Sequence, residues 1–537
     1  MEPLSSEQLA WVEKTLASLS PEHRLAQLLI PKIDEGVTPE ALRDLMKDVP
    51  FGGLFVWGAT GEQHRARLRL LQAAARIPIV VAADLECGAG HVVYGTAAFP
   101  DLLALAAADR EDLAYTMGQA AALEGRAVGI HWTFAPVVDV NLNPDNPIAN
   151  TRSLGDDPER IIRLARAVIR GMQDHGLAAC AKHFPGDGID DIDQHISTSV
   201  NSLPLEAWKA VSARTFNAAF DEGVYSTMVG HIALPAWDPD KDRRGALRPA
   251  TLSRRIVTDL LRREMGFDGL VVTDDMNMGG AAGYANRHDC VVGCLAAGCD
   301  MLLFPALPRD YDTLLDAVRS GDLPPARVDE ACRRVLEFKA RLNLHRGEAF
   351  GPEPGAADRK AFAEASRQVA EQAITCARDA NGILPVRRLG KGARVLTVTL
   401  ANDQIELPVV DAELAARGYV VEHLLNPYCG QINQKIAEFK PEAVFVNFTF
   451  KANWGVGSPR SVGVHNRMFM MGFHSEHPCP VFTSFGSPYH LRHINTLPNL
   501  VNTHSACHDT QRAAVAAWLG EIPMAGRSPV GNVERTF

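Results

Sequence analysis

The sequence predicts an α/β protein: a (β/α)8 TIM-type barrel followed by a smaller α/β sandwich domain. Over the first 340 residues, short β-type apolar runs alternate with longer segments whose apolar residues recur at helical spacing. This strand–helix–strand pattern repeats about seven times, which implies a mostly parallel sheet that a barrel would close. Several of the apolar runs also end in a polar residue, at Asp84, Lys182–His183, His231 and Asp274–Asp275. Strand ends are where barrel active sites lie. Finally, 537 residues exceed what one core organises, and a second α/β pattern follows a polar stretch rich in glycine and proline.

In chain order, the expected barrel strands are Gly53–Trp57, Ile79–Asp84, Ile130–Ala135, Ala178–His183, Tyr225–His231, Gly269–Asp274 and Cys299–Phe304. Helices are expected between them, for example over Pro158–His175 and Leu205–Glu222. Residues 346–365 contain Gly351-Pro352-Glu353-Pro354-Gly355 and suit a linker, dividing the chain into domains at 1–345 and 366–537. Beyond it, a helix over Ala361–Asp379 leads to a turn at Asn381-Gly382. Strands are then expected at Val395–Leu400, Ala443–Phe448 and Val481–Phe485. Trp454 and the Gly455–Ser458 turn carry no assignment. There are no repeats, heptads or low-complexity tracts.

The net charge is −10, from 54 basic and 64 acidic residues, and no basic stripe interleaves with aromatics. Nucleic acid and an anionic membrane surface are therefore excluded as expected partners. The start of the chain lacks a basic segment followed by an apolar one, and Cys290–Cys299, the longest apolar-plus-glycine run, is far short of a membrane span. Ten cysteines, at 87, 180, 290, 294, 299, 332, 376, 429, 479 and 507, form no Cys-x-x-Cys pair, and several sit in apolar runs. Reduced buried thiols and a cytoplasmic location follow.

The densest chemistry lies between Lys182 and His195: one lysine, two histidines, four aspartates and a Pro-Gly-x-Gly turn. An Asp-x-His pair on a loop, Asp193 and His195, can hydrogen-bond locally and fix the histidine tautomer, which makes His195 a candidate proton donor. Asp187, Asp190, Asp191 and Asp193 could instead offer hard oxygen ligands to a cation. The spacing fits no EF-hand loop, so no metal is assigned. Asp274 follows the apolar run Leu270–Thr273, where a carboxylate can serve as a nucleophile or simply cap the next helix. Asp84 likewise ends an apolar run and precedes glycines, but no Gly-Lys-Ser/Thr follows, so no nucleotide cofactor is expected. Arg152 carries no signal by itself.

Taken together, these segments resemble glycoside hydrolase family 3, in its β-N-acetylglucosaminidase branch. The run Lys182-His183-Phe184-Pro185-Gly186-Asp187-Gly188 followed by Asp193-Gln194-His195 is similar to that branch's signature. Asp84-Leu85-Glu86, Thr151–Gly155, Met228–Ile232 and Val272–Met278 support it. So do Gly382–Pro385, Ser484–Tyr489 and Gly526–Val530, so that the resemblance spans roughly residues 20 to 530. It implies Asp274 as nucleophile, His195 as acid/base with Asp193 completing a dyad, and Asp84, Arg152, Lys182 and His183 as ligands of the sugar hydroxyls. The chain departs from the pattern at Ala89 and Val92, where the family often has arginines, which leaves sugar preference open. Asp187 stands in place of a histidine or leucine, and Gln194 in place of Ser or Thr.

The function implied is a retaining, exo-acting β-N-acetylglucosaminidase acting on a small glycan without a cofactor. The alternatives are a phosphorylase on the same scaffold, a β-glucosidase-type hydrolase and a non-catalytic sugar-binding protein. No oligomeric state follows from the sequence.

Overall fold

The computed structural model describes residues 2–33, 37–387, 389–401, 406–428, 430–450, 454–455, 460, 467, 469–470, 472–531 and 533. Cys429 and residues 456–458 of the turn at Gly455–Ser458 lie outside them.

The expected strands are present but shorter, because only the residues in hydrogen-bonded register count. They are β1 (Leu29–Ile30), β2 (Gly53–Phe55), β3 (Val80–Ala83) and β4 (Trp132–Thr133), then β5 (Cys180–Phe184), β6 (Ser226–Val229), β7 (Leu270–Thr273) and β8 (Leu302–Leu303). The two-residue β1 was not expected, since a run so brief has no readable period. All pairings among the eight are parallel. β2, β3 and β4 form one ladder, β5, β6 and β7 another, and β1 pairs with β8. Single parallel bridges join Lys32 to Phe55, Trp132 to Ala178, Val137 to Lys182 and Val272 to Met301. These strands read as continuous apolar runs because both of their faces are buried, as parallel strands require. Rings fill the interior. Phe55 stacks on Phe134 at 5.7 Å between centroids, Trp132 meets Phe134 edge-on at 4.8 Å, and the Trp132 indole N–H donates to Ser226 Oγ at 2.7 Å.

The helix expected over Pro158–His175 spans Pro158–Gln173, with Ile161, Leu164, Ala165, Val168 and Met172 buried along one stripe. The helix expected over Leu205–Glu222 is two, Leu205–Ala210 and Ser212–Asp221, broken where Val211 leaves helical geometry at φ −110°, ψ −85°. The expected Ala361–Asp379 helix spans Ala356–Ala373, beginning inside the stretch read as a linker. Its last residues are instead the strand Thr375–Asp379.

Two compact units emerge. One comprises Met1–Ala98, Ala114–Val140 and Ile161–Phe362; the other comprises Phe99–Leu113, Asn141–Arg160 and Ala363–Phe537. Two segments from within the first 345 residues thus belong to the second unit, where Leu103 packs with Tyr489 and Val530.

The second unit is built on β9 (Thr375–Asp379), β10 (Arg394–Leu400), β11 (Val420–Leu425), β12 (Ala443–Phe448), β13 (Pro480–Ser484) and β14 (Asn499–Asn502). Their order is β9-β14-β13-β12-β10-β11, with only β9 antiparallel. Val395, Phe445 and Val481 build one apolar face with Val410, Leu414 and Trp518. Leu396, Val446 and Phe482 build the other with Ile432 and Phe473. Among the described residues no helix is long and apolar enough to cross a membrane.

Candidate active site

Lys182 and His183 lie within β5, where its register with β6 shifts between Ala181 and Phe184, so their side chains are not bound to simple strand alternation. The buried Lys182 ammonium donates to Asp84 Oδ1 at 2.9 Å and pairs with Glu86 Oε1 at 2.8 Å. Two carboxylates on one buried amine satisfy its charge and fix its position. They also explain the Asp84-x-Glu86 spacing, since both residues follow the end of β3.

His183 is held by a residue that the sequence reading did not single out. Its backbone N–H donates to Asp139 Oδ1 and Oδ2 at 3.1 and 3.2 Å, and its Nδ1 lies 2.7 Å from Oδ2. The Asp187 N–H adds a bond to Asp139 Oδ1 at 2.8 Å. Asp139 is 1% exposed, and these donors anchor its carboxylate. Its signal was present in the sequence: Val137-Val138-Asp139 is an apolar run ending in a carboxylate, as at Asp84 and Asp274.

His195 and Asp193 are brought together. His195 Nδ1 lies 2.8 Å from Asp193 Oδ1, which also accepts the His195 backbone N–H at 2.8 Å. Asp193 is buried while His195 keeps part of its ring exposed, leaving Nε2 as the nitrogen not turned to the carboxylate. The dyad loop is strapped to the segment after Asp274, with Gly279 N–H donating to His195 O at 2.8 Å and Gly280 N–H to Gln194 O at 3.0 Å.

Asp274 sits just past β7. Burial pushes its carboxyl up, but the charges of His183, His231 and His195, with the Asp275 N–H, more than reverse this and hold it below the ordinary carboxylate value. A depressed carboxylate is the form needed for attack on an electrophilic carbon. Its neighbour differs: burial, with the Asp274 charge also opposing ionisation, raises Asp275 above the ordinary value despite two bonds from Asn277. His231, buried and pushed down, meets Thr251 Oγ1 at 2.8 Å and Asp275 O at 2.9 Å. It braces the segment after β7.

The two departures inside the signature prove to be partners. Gln194 Nε2 donates to Asp187 Oδ2 at 3.1 Å, and Gln194 Oε1 accepts the His231 N–H at 2.9 Å. Of the loop aspartates, Asp187 also accepts Gly188 N–H, Asp190 accepts Val200 N–H and Asp193 serves His195. Among the described residues no group of three or more His, Cys, Asp or Glu is placed to hold a metal ion. Ala89 and Val92, at the positions where the family often has arginine, are buried. Arg152 ends a short 3-10 helix, Asn150–Arg152, in the second unit, with Nη1 3.5 Å from Ile148 O.

Residues 21–338 match the family described as glycosyl hydrolase family 3 N terminal domain. A beta-N-acetylglucosaminidase/beta-glucosidase of Cellulomonas fimi is 34% identical, covering 98% of this chain and 96% of its own. Among solved structures, a beta-glucoside phosphorylase, BglX, superposes with a TM-score of 0.90 at 30% identity, covering 99% of this chain and 98% of its own. A family 3 beta-N-acetylglucosaminidase from Paenibacillus sp. str. FPU-7 superposes with a TM-score of 0.85 at 25% identity, covering 97% and 100%. The chain belongs to glycosyl hydrolase family 3.

Proposed function

We propose that this protein is a retaining, exo-acting β-N-acetylglucosaminidase whose catalytic unit is a (β/α)8 barrel. The barrel reading is supported by the parallel ladders and bridges of β1–β8, which link each strand to two neighbours in the order β1-β2-β3-β4-β5-β6-β7-β8 and back to β1. The activity rests above all on the His195–Asp193 dyad, strapped by backbone bonds to the segment that follows the ionised Asp274.

In this reading Asp274 attacks the anomeric carbon as the glycosidic bond breaks, and protonated His195 donates from Nε2 to the leaving oxygen. The now neutral imidazole takes a proton from water, which attacks the glycosyl-enzyme. Two displacements at one carbon retain its configuration. Asp193 accepts from Nδ1–H throughout and keeps Nε2 as the exchanging nitrogen. Asp84, Lys182 and His183 bind sugar hydroxyls; Arg152 is assigned the same role by its motif, Thr151–Gly155. A cytoplasmic location belongs to this reading, supported by the burial of Cys87, Cys180, Cys290, Cys294, Cys299 and Cys332, as suits reduced thiols.

Phosphorolysis is the second reading, favoured by an acid/base that is neutral after donating its proton, where a carboxylate would repel phosphate. One assay separates the two. An N-acetylglucosamine disaccharide incubated in phosphate with the wild type should yield two molecules of free N-acetylglucosamine per bond cleaved, and no sugar 1-phosphate. One sugar 1-phosphate and one free N-acetylglucosamine per bond cleaved would make the enzyme a phosphorylase. D274A should lose turnover by at least about a thousandfold; near-normal release in that variant would remove Asp274 from the chemistry.

A further inference from the structure

Two large rings stand exposed beyond the carboxyl ends of β2 and β3, Trp57 at 48% on the loop after β2 and Tyr94 at 57% in the two-residue strand Val93–Tyr94, which pairs with Ala59–Thr60. The groups assigned to the sugar at the floor of the site are different: Lys182 and His183 are 3% and 4% exposed. β2 and β3 pair in parallel, with Phe55 opposite Ala82, so Trp57 and Asp84 each follow the carboxyl end of one of two neighbouring strands.

The back of the indole is supported. Trp57 meets Phe55 edge-on at 4.8 Å and Phe304 at 6.0 Å, while Lys32 Nζ lies 5.9 Å from the Trp57 ring and 4.9 Å from that of Phe304. Phe304 is at φ +57°, a region a bulky residue seldom adopts. It is pinned there by its own N–H to Ile30 O at 2.9 Å and by Asn277 Nδ2 donating to its carbonyl at 3.1 Å. The same Asn277 amide donates to Asp275 Oδ1 at 2.7 Å, and Asp275 N–H to Asp274 Oδ1 at 2.8 Å. A continuous path of contacts therefore ties the exposed indole to Asp274. On the other side, Tyr94 lies so close to the chain that a Cβ on Gly58 would stand 2.4 Å from its hydroxyl.

A rigid aromatic face backed by packed side chains and left open to solvent is preorganised for a flat, partly apolar partner. The C–H face of a pyranose is such a partner. The buried floor encloses the sugar being transferred, so a ring on the rim meets what lies beyond it. We propose that Trp57, backed by Phe304 and Lys32, is the platform for the leaving group, and that this leaving group is itself a pyranose. The proposal rests on the glycosidase reading above and names its substrate class as saccharides.

The test compares wild type and W57A on N,N′-diacetylchitobiose, whose leaving group is a pyranose, and on β-N-acetylglucosaminyl fluoride, whose leaving group is too small to stack. W57A should lose at least about tenfold more kcat/KM on the disaccharide than on the fluoride, chiefly through KM, and W57F should recover most of that difference. Equal losses on both substrates, or no loss on the disaccharide, overturn the proposal. If the wild type turns over neither, the sugar assignment fails by itself. The same ratio is then read on cellobiose and β-glucosyl fluoride, with the same outcomes deciding, and turnover of none of the four overturns both.

Discussion

Asp139 shows how a single side chain organises this site. Its carboxylate takes the backbone N–H groups of His183 and Asp187 together with His183 Nδ1, so one buried side chain sets both the ring of a histidine proposed to bind the sugar and the start of the signature turn. Replacing it by Asn turns an acceptor oxygen into a donor facing other donors. D139N should lower kcat/KM by about tenfold to a hundredfold, as expected of a residue that orients a ligand-binding histidine. It should also lower the melting temperature, because a buried donor left unpaired costs about 1–3 kcal/mol; unchanged kinetics and melting would show that His183 needs no such anchor. At this scale the sequence was informative about residue type and poor about partners. Lys182, His183, His195, Asp193 and Asp274 could be named from a local motif, because the dyad spans only three positions and Asp274 ends its own strand. Asp139 and Glu86 act across 44 and 96 positions of chain, and no local pattern encodes such a meeting.

The segment after β7 and the loop after β5 behave as one assembly at the level of elements. Gly279 and Gly280 donate to His195 O and Gln194 O, while Gln194 joins Asp187 to the backbone of His231. The approach is close: a Cβ on Gly279 would lie 2.1 Å from Ile196 O, and one on Gly280 would lie 2.7 Å from Gln194 O. Since these are backbone atoms, the loop itself must move to make room. G279A should therefore lower kcat by about tenfold or more by displacing His195 from the leaving oxygen, with a smaller effect on KM. A variant with wild-type kcat would show that the dyad loop tolerates the shift. Element types were readable because the apolar runs of buried parallel strands are distinctive. Their ends were not, since strand length is set by register with neighbours distant in sequence. The helix break at Val211 and the strand Thr375–Asp379 were missed for the same reason: each is decided by what it packs against.

For the molecule as a whole, the balance between protonated and ionised carboxyls ties stability to pH. Burial raises Glu124 to about 7, against the hydrogen bond from Ala97 N–H. A group whose folded value is raised contributes stability that is fully present below its unfolded value and is lost as pH rises through the folded one. Glu124 should therefore favour the folded state at pH near 4 and cease to do so by about pH 7–8. The melting-temperature difference between wild type and E124Q, followed across that range, should move against the wild type as pH rises; a flat difference would mean that Glu124 titrates alike in both states. The sequence by itself determined the α/β class, the existence of two α/β patterns, the family and the residue types of the chemistry, because apolar period and short motifs are local properties of the chain. Only the tertiary structure decided that Lys182 is clamped by two carboxylates, that Asp187 and Gln194 are partners, and that 99–113 and 141–160 join the second unit. It also decided that residues past four strand ends come together, with Trp57, Phe304 and Asn277 on one path to Asp274 and Lys32 against the two rings. Each of these is a contact between residues far apart in the chain, and long-range contacts are chosen by packing the whole fold at once.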